Sequence, residues 1–259
     1  MNAIIQALYH TPTLHSEVSL FNCSKNAQSV FESLKEVFSS LNDNKQKIFR
    51  PDRFYQIANP SFFKRGDQQD CSEFLTYLLD TIQQDEVNSC PSTSENIVRR
   101  VFGGIRRVFT ECTVCYTRSE RDELFTDIQL PVIAFQQNQM EIKDLVASSF
   151  KPEILEGDNQ WDCPKCSRKT VSERRDRILS SPECLILTLK RFSHDSRSNT
   201  VKKILTSIRY SRYFNLPLLS EGHTQTYELY CVVIHRGATP NSGHYYTWIR
   251  YLLSYISNC

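Results

Sequence analysis

Two Cys-x-x-Cys pairs, Cys112-Thr-Val-Cys115 and Cys163-Pro-Lys-Cys166, place the strongest constraint on how this chain can fold. A turn of this kind aims two thiolates at one point, and two such turns complete a tetrahedral four-sulfur shell about 2.3 Å from a zinc ion. The pairs are separated by 47 residues, positions 116–162. That exceeds the common zinc-ribbon spacing, so the pairs are expected at the tips of two distant hairpins that the fold must bring together. Four ligands leave no open coordination position, so a zinc ion here would be structural. The alternative is a set of four buried or redox-active thiols.

The other six of the ten cysteines, Cys23, Cys71, Cys90, Cys184, Cys231 and Cys259, stand singly. The first ten residues, MNAIIQALYH, lack the basic region and small-residue cleavage site of a secretory signal. A reducing compartment is therefore expected, with metal-binding thiols rather than a disulfide framework. A length of 259 residues suits one large domain or two small ones. Lys+Arg 31 against Asp+Glu 29 leaves +2, which is no basic footprint for nucleic acid. No apolar run approaches the roughly 18 residues of a membrane span. With 7 glycines the chain is also poor material for a glycine-rich phosphate loop.

Hydrophobic periodicity divides the chain in two. Residues 1–90 read as helical. Ile4, Ile5 and Leu8 share one face, and Val30, Phe31, Leu34, Val37, Phe38 and Leu41 follow the helical period after Ser24 and Asn26, two candidate N-caps. Pro51 and Asp52 open a short helix through Ile57. Asp67 is read as the cap of a long helix with a Phe74, Leu75, Leu78, Leu79, Ile82 stripe, and residues 87–95 as a loop. From residue 97 the character turns to β, with strands expected at 101–109, 119–130, 170–179, 184–190, 203–208, 227–235 and 245–251, and one helix at 141–150. The segment 184–189 is apolar enough for a strand buried on both faces. The fold class is α+β, a helical lobe followed by a largely antiparallel β lobe.

Two polar clusters stand out beside the cysteines. In Tyr230-Cys-Val-Val-Ile-His235 through Gly243-His244-Tyr245 a strand enters a polar loop and a second strand opens at a glycine and a histidine. A histidine at a strand mouth is well placed for acid–base work, although a single loop histidine is more often structural or merely exposed. In Arg65-Gly-Asp67-Gln68-Gln69-Asp70-Cys71-Ser72-Glu73-Phe74-Leu75, polar side chains precede a helix. They could cap it, or hold an extended peptide through its amides and carbonyls.

Taken in order, these elements resemble the catalytic domain of the ubiquitin-specific proteases, papain-like cysteine deubiquitinases. The matching residues are Met1-Asn-Ala-Ile-Ile-Gln6-Ala-Leu8, Gln68 to Leu75, both cysteine pairs, Lys190-Arg191-Phe192, and Tyr230 through Tyr245. The resemblance spans about residues 1–250 and implies a helical thumb (1–96), with β-rich palm and zinc-ribbon fingers (97–259). It implies hydrolysis of the bond at ubiquitin's C-terminal glycine, with His244 as general base and Cys112, Cys115, Cys163 and Cys166 on a structural zinc. The substrate-binding set would be Gln68, Gln69, Asp70, Glu73, Gly243 and Tyr245. Asp70 would accept hydrogen bonds from ubiquitin's tail. Gly243 and Tyr245 would narrow the channel, which the loops around 191–202 and 236–242 would line. No organic cofactor, nucleic acid or membrane is implied; the partners are ubiquitin and ubiquitinated proteins, in cytoplasm or nucleus.

The family's nucleophile lies in a Gly-Asn-Thr-Cys-Tyr-Met-Asn box, and this sequence begins at the Met of that box. The residue that orients the family's histidine belongs to a further strand, for which Asn258 is a candidate by residue type only. The expectation is therefore an inactive chain, incomplete at both ends. Cys71 and Cys231 are expected to be inert core thiols rather than replacements. The alternatives are a catalytically dead ubiquitin-binding scaffold and a zinc-stabilised module with neither property.

Overall fold

Regular backbone structure follows the change of period seen in the sequence. The computed structural model describes residues 1–20, 29–43, 49–64, 66–89, 96–133, 139–195, 200–240 and 242–250. Helices α1 (Asn2–Tyr9), α2 (Pro12–Leu20), α3 (Val30–Asn42), α4 (Asp52–Ile57), α5 (Cys71–Ser89) and α6 (Ile97–Phe102) come first. Strands β1 (Gly104–Cys112), β2 (Arg118–Phe125), β3 (Ile128–Pro131) and β4 (Gln139–Glu141) follow. Next are α7 (Ile142–Ser149), β5 (Glu153–Leu155), β6 (Trp161–Cys163), β7 (Arg168–Thr170) and β8 (Ser172–Ser180). The later strands are β9 (Leu187–Lys190), β10 (Phe192–Asp195), β11 (Thr200–Lys203), β12 (Ser207–Arg209), β13 (Tyr213–Pro217), β14 (Thr224–Glu228), β15 (Cys231–Thr239) and β16 (Ser242–Ile249).

Cα packing separates two compact units. The first holds Met1–Val101, Phe192–Lys203 and Leu229–Cys259; the second holds Phe102–Arg191 and Ile204–Glu228. In the first, helices bury their apolar stripes: Ile4, Ile5 and Leu8 of α1, Phe31, Leu34 and Phe38 of α3, and Phe74, Leu78 and Ile82 of α5. The β15–β16 hairpin belongs to this unit, and α1 is tied to it where the Thr247 hydroxyl donates to Ala3 O at 2.6 Å. A second tie joins the Thr11 and Tyr230 hydroxyls at 2.7 Å.

The second unit centres on Phe125, Ile128, Leu130, Val132, Leu145, Val146, Ile178 and Leu216. Its four-stranded sheet has the order β2-β1-β8-β5 and is antiparallel. Much of this sheet is charged on both faces, so alternation of apolar and polar residues does little to fix its register. Ion pairs between directly opposed residues do so instead: Arg106 with Glu123 at 2.8 Å, Arg107 with Asp122 at 2.7 Å and Arg118 with Glu111 at 2.8 Å. Such exposed pairs each contribute roughly 0–1 kcal/mol, which leaves the sheet dependent on its cysteine-bearing end.

Several element boundaries differ from the sequence reading. The cap of α3 is Ser29, whose hydroxyl accepts from Glu32 N at 3.2 Å; Ser24 and Asn26 lie outside the described residues. Helix α5 is capped by Asp70 rather than Asp67, through bonds given below. Residues 101–102 are helical, because α6 has its own caps: Glu86 accepts from Ile97 N at 2.7 Å and Asn96 Oδ1 from Arg99 N at 2.8 Å. Glu86 is itself buried, four residues beyond Ile82 on the core stripe of α5. The expected loop at 87–95 gives way to helix as far as Ser89. Strand β9 starts only at Leu187 and is half-buried, not buried on both faces, and it pairs in parallel with β3. Residues 229 and 230 interrupt the strand expected over 227–235.

Candidate active site and metal centre

The cysteine pairs meet. Cys112 closes β1 and Cys115 lies in the turn to β2; Cys163 closes β6 and Cys166 lies in the turn to β7. The two turns repeat one backbone geometry. Tyr116 N donates to Cys112 O at 3.0 Å, and Ser167 N to Cys163 O at 2.9 Å. The residue after each second cysteine is left-handed, Tyr116 at φ 58° and Ser167 at φ 52°, a conformation that residues other than glycine seldom adopt. Val114 N and Cys166 N donate to the Sγ atoms of Cys112 and Cys163, each at 3.4 Å. Thr113 fastens the first turn to the segment following the second, its amide and hydroxyl donating to Val171 O at 3.1 and 2.8 Å.

All four sulfurs lie within 4.8 Å of one another. Cys115 and Cys163 are separated by 3.5 Å, Cys112 and Cys166 by 4.0 Å. A tetrahedron with ligands about 2.3 Å from its centre has edges of about 3.8 Å, so the donor set fits a zinc-sized ion. The Thr170 hydroxyl, 3.3 Å from Cys112 Sγ, is the main cause that draws that thiol down to about 6, assisted by backbone amides. The Thr117 hydroxyl lowers Cys115 too, whereas the hydrogen bond with Cys115 pushes Cys166 up to about 12, so the first pair is the readier source of the thiolate that binds metal.

The polar clusters meet on the β15–β16 hairpin. His235 pairs with Tyr245 and Arg236 with His244, and the register shifts between Arg236 and Thr239. Side chains alternate along a strand, so His235 and Tyr245 share one face while Arg236 and His244 share the other. The His235 and Tyr245 rings lie 4.6 Å apart, and Phe192 meets His235 edge-on at 5.9 Å. Gly243 is at φ 144°, and a Cβ there would come within 2.6 Å of His235 Nε2 and 2.9 Å of Gly237 Cα. Glycine at 237 and 243 is thus what lets the two strands close. Gly243→Ala should cost about 1–3 kcal/mol, the usual range for a strained backbone, and chemical denaturation should show a lowered midpoint with an unchanged slope.

The Gln68 amide sits against His235 Nε2 and within 3.3 Å of Pro240 O. Gln69 Nε2 donates to Lys64 O at 3.3 Å. Asp70 accepts from Ser72 N at 2.7 Å and Ser72 Oγ at 2.8 Å, capping α5. Glu73 is exposed in the first turn of that helix. Arg191 donates to Ile204 O at 3.0 Å and Thr206 O at 2.7 Å. Cys71, which shares a hydrogen bond with the Tyr245 side chain, is pushed up to about 12 by burial first and then by Asp70. Burial likewise raises Tyr245, with Cys71 and Asp70 adding to it. Burial, then Lys203, holds His235 below the usual imidazole range against the pull of Asp70.

The structure therefore gathers Gln68, Asp70, Gly243 and Tyr245 around His235. His244 is exposed on the opposite face of β16. Sequence reasoning did not single out His235 or Lys203 as site residues. His235 was within reach, because a tight hairpin ending in Gly243-His244-Tyr245 sets position 235 opposite 245. Lys203 carried no such signal. Arg65, Asn241 and Asn258 lie outside the described residues.

With this geometry established, comparison with known proteins identifies the lineage. The family model for ubiquitin carboxyl-terminal hydrolase matches residues 1–256, and the chain belongs to that family. Similar curated proteins include human ubiquitin carboxyl-terminal hydrolase 42, at 28% identity over 96% of this chain and 19% of that protein. Mouse ubiquitin carboxyl-terminal hydrolase 17-like protein D is 30% identical over 96% of this chain and 46% of its own length. The chain thus spans less than half of either relative. Among solved structures, the SAGA Ubp8/Sgf11/Sus1/Sgf73 DUB module bound to ubiquitin aldehyde contains a chain with TM-score 0.76 and 23% identity, over 96% of this chain and 59% of that one. The same module bound to monoubiquitin gives TM-score 0.77 and 24% identity, over 96% and 58%. The α+β, papain-like fold expected from the sequence is the fold found.

Proposed function

We propose that this chain is the catalytic domain of a thiol-dependent ubiquitin hydrolase, acting on peptide or isopeptide bonds at ubiquitin's C-terminal glycine. The observation that carries this reading is the convergence of the α5 entry, Gln68 and Asp70, on the hairpin bearing Gly243-His244-Tyr245. Family membership supports it, and the Ubp8 module was captured with ubiquitin aldehyde and with monoubiquitin. In the reaction a thiolate attacks the scissile carbonyl. Exposed His244 takes the thiol proton and later returns it to the leaving lysine amine. Water then cleaves the acyl-enzyme. Gln69 and Glu73 flank the tail site, and the crossing at Gly237 and Gly243 limits it to a glycine-glycine end.

Cys71 is not the nucleophile in this reading. It lies against Tyr245, on the face of β16 opposite His244, and its thiol stays protonated at neutral pH. A catalytically dead ubiquitin-binding scaffold is the second reading, which shares the same tail site. The four cysteines hold one structural zinc that locks two hairpins together. Residues 1–96 form the thumb and 97–259 the fingers and palm, and the protein works in cytoplasm or nucleus on ubiquitinated proteins.

Asp70→Ala tests the tail site. Loss of a capping carboxylate costs about 1 kcal/mol of stability. Ubiquitin affinity, measured by titration, should fall by more than that amount. Unchanged affinity with a lowered melting temperature would leave Asp70 as a helix cap alone.

A further inference from the structure

Lys203, at the end of β11, reaches three acceptors on one stretch of β15. Its Nζ lies 3.0 Å from His235 Nδ1, 2.9 Å from His235 O and 2.7 Å from Gly237 O. An ammonium offers three donors and no acceptor, so each of these three groups faces it as an acceptor. The two carbonyls belong to the residues on either side of Arg236, the cross-strand partner of His244. They also stand where β15 departs from regular register, so the ladder does less here to hold the strand.

The same contact decides the state of the His235 ring. Facing an ammonium, Nδ1 must present its lone pair, and the neutral ring then carries its proton on Nε2. The ring also hydrogen-bonds the Ser242 backbone, a contact that favours a protonated ring nitrogen. The Gln68 amide nitrogen is the atom beside Nε2, and it donates to Pro240 O at 3.3 Å, so that carbonyl and not the ring fixes the amide. The order of control runs from Lys203 to the His235 tautomer and to the two β15 carbonyls.

We propose that Lys203 is a positioning residue: its ammonium locks the Nε2–H tautomer of His235 and clamps the carbonyls of His235 and Gly237, and so sets the Gly243-His244 mouth for ubiquitin's tail. This rests on the ubiquitin-hydrolase reading given above. Lys203 acts through His235 and the backbone and touches no reacting atom.

Long-range proton–nitrogen NMR of the imidazoles, with ubiquitin titration, tests this on the 259-residue chain and on K203M and K203R. The wild-type His235 should show an unprotonated Nδ1 and a protonated Nε2. K203M should lose that pattern and bind ubiquitin at least tenfold more weakly. K203R, which keeps charge and donors, should retain the tautomer and recover most of the affinity. A wild-type ring protonated at Nδ1 overturns the proposal, even if K203M fails to fold. A folded K203M with an unchanged His235 tautomer or unchanged affinity overturns it too, leaving Lys203 a structural residue. Absence of any ubiquitin binding by the wild type would sink the ubiquitin reading and with it the role at the tail, whereas the tautomer result reports on the clamp alone.

Discussion

Assayed by itself on a fluorogenic ubiquitin C-terminal amide, the 259-residue chain should give no turnover. A longer chain that supplies a reactive thiol on the His244 face should cleave, and His244→Ala in that longer protein should abolish cleavage. The reasoning is geometric. His244 is exposed on one face of β16, whereas Cys71 bonds Tyr245 on the other face with a thiol pushed up to about 12. Proton transfer between them is barred by position and by energy alike. In a serine protease, removing the nucleophile costs about 10⁶ in turnover, and roughly 10³–10⁴ over water survives through the oxyanion hole and binding. Robust turnover by the 259-residue chain would overturn the assignment, and Cys71→Ser would then show whether that thiol is responsible.

The metal should have an equally large effect on structure. Metal analysis of reduced, folded protein should give one zinc per chain, and Cys112→Ser or Cys163→Ser should remove it. Structural zinc contributes roughly 10–16 kcal/mol of apparent binding energy in small peptides, comparable with the 5–15 kcal/mol that stabilises a whole domain. Strand β2 in particular has little else to rely on, because it is exposed over most of its length and its ion pairs lie at the surface. Chelation should therefore strip hydrogen-exchange protection from β1, β2, β6 and β7. Amides in α3 and α5, which pack an apolar core of their own, should be much less affected. Folded, reduced protein without zinc, or protection in those strands that chelation leaves unchanged, would refute this.

The site was partly legible before any fold was known, and the pattern of success has a physical origin. Capping and hairpin chemistry act over a few residues, so a polar helix entry near 67–73 and Gly243-His244-Tyr245 at a strand opening were readable as local signals, although the cap was placed at Asp67 and is Asp70. So was the class of the chain, because helical period gives way to strand-rich segments near residue 97. Errors arose where a remote group overrode local preference. Val101 and Phe102 have side chains that favour strands, yet they end a helix whose first amide is capped by buried Glu86. The apolar run at 184–189 suggested full burial, but only its second half is strand, and it is half-buried.

By itself the sequence determined which chemistry was available: four thiols in two turns, a histidine beside a glycine, and glutamines and an aspartate at a helix entry. These follow from residue type and short spacing, which are properties of the chain alone. Only the tertiary structure decided which of them meet. It brought Cys112 and Cys115 to Cys163 and Cys166 across the 47 intervening residues. It set His235 rather than His244 against Gln68, and it delivered Lys203 to the opposite strand. The physical reason is that strand pairing fixes a side chain's face by register, with a period of two. His244 and Tyr245 are adjacent in the sequence, and that single step puts them on opposite sides of the sheet.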